Sequence, residues 1–100
     1  MKRRRVELSE EARADLIALY DWIAEAAGPA TALSWTERLE GWCMGFELAS
    51  ERGHLREDIR PGLRIVGFER RVTVALVVED DRVIILRVFY AGRNWEDTVV

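Results

Sequence analysis

The sequence predicts an α+β fold of order β-α-α-β-β-β, with a helical hairpin packed on one face of a small, mostly antiparallel sheet. Three observations predict it. Apolar residues recur every three or four positions through residues 10–50, three short Val- and Ile-rich segments fill residues 63–90, and the pattern switches abruptly at Gly62.

Each element can be justified in turn. Arg4 to Leu8 places Val6 and Leu8 on one side, as a short strand at a sheet edge does. Ser9 is the natural N-cap of the first helix, and Glu10 and Glu11 complement the helix dipole in its first turn. Ala12, Leu16, Leu19, Ile23 and Ala26 form the inward stripe, flanked by Tyr20 and Trp22, until Gly28-Pro29 ends the helix. Pro29 suits the first position of the second helix. There Ala32, Trp35, Leu39, Trp42, Phe46 and Ala49 make an uninterrupted seam, and the helix is expected to end near Arg52-Gly53. Gly41 and Gly45 lower helix propensity, so close approach of another backbone is expected there.

Residues 54–61 read as a polar connection. Strands are predicted at Leu63 to Phe68, Val72 to Glu79 and Val83 to Tyr90, joined by turns at Glu69-Arg70-Arg71 and Asp80-Asp81-Arg82. The middle one is apolar on both sides apart from Thr73 and belongs at the centre of the sheet. Alternation in the last strand puts Ile84, Leu86, Val88 and Tyr90 on one face and Val83, Ile85, Arg87 and Phe89 on the other. The tail leaves the sheet through Gly92.

Composition sets the limits. One hundred residues, 49% apolar and 33% charged, suit one domain spanning 1–100 with one core. No apolar run approaches a membrane span, and no apolar stretch follows the basic Lys2-Arg3-Arg4-Arg5, so a cytoplasmic protein without membrane contact is expected. With one cysteine, Cys43, and one histidine, His54, neither a disulfide, a metal site nor a Ser–His–Asp triad is expected. No glycine-rich phosphate loop is present, and no cofactor is expected.

The formal charge of −3 is unevenly spread. Residues 1–51 are acidic on balance, whereas residues 52–93 carry nine arginines against six acids. Arginine suits bidentate contact with carboxylates and phosphates. Arg60, Arg64, Arg87 and Arg93, with Trp95, are therefore candidates for contact with a macromolecular target. Arg87 lies on an otherwise apolar strand, so it either emerges on the open face of the sheet or is paired. Leu33, Met44 and Leu48 lie roughly opposite the core seam of the second helix and are candidates for a docked partner segment.

Several stretches together resemble the ParE toxins of bacterial toxin–antitoxin operons. They are Leu8-Ser9-Glu10-Glu11-Ala12, Asp15-Leu16 and Tyr20-Asp21-Trp22-Ile23, then Ile59-Arg60-Pro61-Gly62-Leu63-Arg64, Val77 to Asp81 and Ile84 to Arg93. The resemblance covers nearly the whole chain and keeps the order of elements. It implies a non-enzymatic toxin that inhibits DNA gyrase, is neutralised by a wrapping ParD-type antitoxin, and has no sequence-specific DNA binding of its own. The related RelE toxins, which share the fold, cut messenger RNA on the ribosome. Val66 and Thr73 stand where such nucleases carry basic side chains, and Trp95, at the place of a tail tyrosine, cannot transfer a proton. Val72-Thr73-Val74-Ala75-Leu76 also departs from the tyrosine-rich strand of many ParE toxins. A RelE-like ribonuclease and a non-toxic binding module are the alternative readings.

Overall fold

A computed structural model describes residues 2–90. The expected contacts of Arg93 and Trp95, and the expected exit of the tail through Gly92, lie outside the described residues. The elements are β1 (Arg5–Leu8), α1 (Glu10–Ala27), α2 (Pro29–Met44), a 3-10 turn (Gly45–Glu47), β2 (His54–Leu55), β3 (Leu63–Phe68), β4 (Val72–Val78) and β5 (Arg82–Tyr90). The sheet order is β1-β5-β4-β3-β2, with β1 parallel to β5 and every other pairing antiparallel. As its composition predicts, β4 is central.

Ser9 fixes the junction between strand and helix. Its Oγ accepts from the Ala12 N–H at 3.0 Å, capping α1, and donates to the Leu86 carbonyl at 2.7 Å. Its own N–H donates to the Ile85 carbonyl at 3.0 Å. One residue thus starts the helix and ties that start to β5. Gly28, at φ +94, turns the chain directly from α1 into α2.

The main core lies between the hairpin and the sheet. Leu19, Leu39 and Phe46 meet Val74, Leu76, Val83, Ile85 and Val88 there, all essentially inaccessible to water. Trp42 closes this layer edge-on to Phe46 at 5.1 Å and tilted on Phe68 at 4.9 Å. A second, smaller cluster of Leu63, Ala75 and Phe89, with Ile59, Ile65 and Leu86 against it, occupies the other face.

Four expectations need correction. α2 ends at Met44, not near Arg52, because the chain tightens into the 3-10 turn that carries Phe46 into the core. Gly41 has nothing within 4 Å of the position a Cβ would take, and Gly45 meets only the Arg52 side chain at 3.6 Å, so no backbone approaches either glycine. The connection after α2 contains a strand, β2, whose pairing with Ile65 and Arg64 depends on Gly53. A Cβ at Gly53 would lie 2.2 Å from the Ile65 carbonyl oxygen, and its φ is +74. Finally, the β4–β5 register shifts at Ala75/Leu76, leaving Leu86 as an extra residue. The bulge reverses the alternation midway, so Val88 joins Val83 and Ile85 in the main core while Phe89 turns to the second cluster.

Candidate functional site

The candidate arginines divide between the two faces of the sheet. Leu63 and Ile65 belong to the second cluster and Val66 and Phe68 to the main core, so Arg64, between Leu63 and Ile65, shares the helix side. Its register partner Leu76 is in the main core, and its guanidinium reaches the Arg52 carbonyl at 3.4 Å. Arg87 pairs in register with Ala75 of the second cluster and so leaves from the opposite face. Arg60 is exposed in the turn before β3, where its carbonyl accepts from the Leu63 N–H. Arg64 and Arg87 therefore do not converge on a single patch.

Arg87 is paired. Its Nε and one terminal nitrogen donate to the two carboxylate oxygens of Asp15 on α1, at 2.8 and 3.0 Å. Asp15 is 8% exposed and also accepts from the Val88 N–H at 2.8 Å. β1 ends at Leu8, opposite Ile85, so the edge of β5 beyond that point has no strand beside it. Ser9 and then Asp15 take over its hydrogen bonding. The Asp15 hydrogen bonds raise the Arg87 pKa above its ordinary value despite partial burial, and the guanidinium also stands 5.0 Å from the centre of the Phe89 ring. The sequence carried a signal for this pair: Asp15 sits in the inward stripe between Ala12 and Leu19, where only a partnered carboxylate is tolerated.

The apolar candidates are accessible. Leu33 is 54% exposed, and Met44 and Leu48 are 45% exposed each. Leu33 and Met44 lie three turns apart on one side of α2, about 16 Å along the axis. Glu37, Glu40 and Gly41 lie between them on that side, so the stripe is interrupted rather than continuous. Met44 borders a shallow depression together with Arg3, Arg4 and Val6. The basic start of the chain is engaged locally: Lys2 with Asp80, Arg3 with Glu47, and Arg5 with Glu7 and Asp81.

Among the described residues no cluster of His, Cys, Asp and Glu suits a metal ion. Burial, with Glu40 nearby, pushes the Cys43 thiol up to about 12, so it stays protonated at neutral pH and is a poor nucleophile. No helix among the described residues is long and apolar enough to cross a membrane.

The family model for the ParE toxin of the type II toxin–antitoxin system parDE matches residues 6–95. The chain belongs to the ParE toxin family. A solved structure described as the chromosomal ParDE toxin–antitoxin system from P. aeruginosa has the same fold, with a TM-score of 0.77 at 23% identity over 89% of this chain and 97% of that one. No curated protein matches the chain. In this family member the strand order, the helical hairpin and the Asp15–Arg87 lock form one scaffold, on which the candidate surfaces are displayed.

Proposed function

We propose that this chain is a toxin that acts by binding: it inhibits DNA gyrase and thereby replication, and a small ParD-like antitoxin neutralises it in the cytoplasm. The observation that carries the reading concerns the strand positions from which a RelE-like nuclease would work. Val66 is packed against the main core, and Thr73, on the neighbouring strand, offers only a hydroxyl. Arg87 is committed to Asp15. Metal-free cleavage of a phosphodiester needs a proton acceptor beside charge stabilisation at one phosphate, and arginine is no base at neutral pH. Inhibition by binding asks only for complementary shape and charge.

In this reading Arg60, Arg64, Arg93 and Trp95 make the target contact, and Arg87 serves the scaffold. Leu33, Met44 and Leu48 provide apolar area for the antitoxin. Induced expression, with DNA and protein synthesis followed separately, tests the mechanism. DNA synthesis is expected to stop, and the DNA-damage response to rise, before translation falls. Early collapse of translation, with messages cut in the ribosomal A site, would replace this reading with the ribonuclease.

A further inference from the structure

Among the described residues the half-buried arginines are Arg4, Arg52, Arg56, Arg64, Arg82 and Arg87. A guanidinium that has lost part of its hydration is normally neutralised by an acid. Half of this set follows the rule: Arg56 pairs with Asp58, Arg82 with Glu7 and Glu79, and Arg87 with Asp15. Arg4, Arg52 and Arg64 form no ion pair with a described residue.

These three are neighbours, gathered at the segment that leads from the 3-10 turn to β2. Arg4 and Arg52, with Lys2, Leu48 and Glu51, border a shallow depression of about 400 Å³ there. The Arg4 backbone N–H donates to the Glu47 carbonyl at 2.8 Å, and the Arg64 guanidinium arrives from β3 at the Arg52 carbonyl, 3.4 Å away. Each side chain is held by an uncharged contact. Arg4 Nε donates to the Glu79 carbonyl at 2.8 Å, and the Arg52 guanidinium stands 5.2 Å from the centre of the Phe46 ring. With five N–H donors apiece, most of their donors stay uncommitted. The acids at this end do not neutralise them: Asp80 pairs with Lys2, Glu47 with Arg3, and Glu51 is exposed. The three cations are positioned but left without a counter-charge.

We infer that Arg4, Arg52 and Arg64 bind the phosphate backbone of double-stranded DNA, without reading its sequence. Guanidinium forks match the free oxygens of successive phosphates. Shape selects the duplex over other phosphate carriers. The depression is too shallow to enclose a nucleotide, and no aromatic side chain borders it on which an unstacked base of a single strand could lie. Phe46, the ring next to Arg52, is fully buried. Contact is therefore with phosphates alone. The net charge of −3 opposes binding over the rest of the surface, so the affinity is modest and strongly salt-dependent. Arg64 also stands in the target contact proposed above, but this inference rests on the three arginines and needs neither gyrase nor toxicity.

Anisotropy titration of a short labelled duplex of mixed sequence with the purified chain tests it, with no gyrase present, so that failure leaves the gyrase reading standing. Three phosphate contacts predict a slope of log affinity against log salt of about −3, a loss of about fortyfold between about 50 and 200 mM salt. Arg52→Gln and Arg64→Gln are each expected to weaken binding about fivefold at the lower salt and to flatten the slope by about one. Their thermal midpoints are expected to stay unchanged, because no acid loses a partner. Arg64→Lys, which keeps the charge, is expected to keep the slope, and it decides the matter should Arg64→Gln unfold. Arg13→Gln, on the exposed side of α1, is expected to change neither affinity nor slope. No duplex binding at low salt, or binding indifferent to Arg52→Gln and Arg64→Gln, would overturn the inference. So would tighter binding of single-stranded RNA, which would favour the ribonuclease, or a loss produced by Arg71→Gln alone, which would place the contact at the β3–β4 turn.

Discussion

Asp15 shows how much one side chain can fix. It satisfies the backbone N–H of Val88 and accepts from two nitrogens of the Arg87 guanidinium, and it does so where β1 has ended and β5 would otherwise present an unpaired edge. Removing the carboxylate leaves a partly buried guanidinium and a buried N–H without their acceptor. Asp15→Ala is expected to cost about 3 kcal/mol, read as a lower midpoint in urea unfolding, because breaking one side of a buried charged pair costs more than the pair contributes. An unchanged midpoint would mean that solvent replaces the pair. Arg87→Ala strips Asp15 of its counter-charge, so a drop in toxicity for that variant reports on folding rather than on contact with the target.

At the scale of elements, periodicity located both helices and the three long strands, because their inward residues keep a strict spacing. It failed where backbone rather than side chain decides. β2 carries two exposed side chains and forms because Gly53 lets the chain lie against the Ile65 carbonyl. The bulge at Leu86 leaves no mark on an unbroken apolar run from Val83 to Leu86. Gly41 is the converse case: it reads as a packing device but faces open space on an exposed stretch of α2. Gly41→Ala is therefore expected to stabilise the protein by about 0.5–1 kcal/mol, measured by thermal or urea unfolding, since alanine loses less backbone entropy and meets no neighbour. A destabilised variant would reveal a close partner at that site.

For the molecule as a whole, the sheet buries two clusters of unequal size and leaves the outward side of α2 accessible. Met44 and Leu48 end that side next to the basic start of the chain, where Arg4 and Glu47 are joined through the backbone at 2.8 Å. Under the antitoxin reading, replacing Met44 and Leu48 together by Glu is expected to weaken the toxin–antitoxin complex about tenfold or more while the circular dichroism spectrum stays unchanged. Full affinity in a calorimetric titration would remove these two residues from the interface. The candidate site was legible only in part. The exposure of Leu33 and Met44 follows from helical phase, whereas that of Leu48, beyond the 3-10 turn, depends on how the chain leaves α2, and the separation of Arg64 from Arg87 depends on strand register and on the bulge.

The sequence by itself determined the fold class, the order of the long elements, the central place of β4 and the family. Each of these follows from local periodicity, turn chemistry or short motifs, which the chain carries residue by residue. Tertiary structure decided what Arg87 does, which face each arginine leaves from, and how Arg4, Arg52 and Arg64 come to be neighbours. Those outcomes depend on contacts between positions tens of residues apart, such as Asp15 with Arg87 and Arg4 with Glu79. Local pattern marks Asp15 as a carboxylate in need of a partner but does not name the partner, because only the packed sheet and hairpin set the distances.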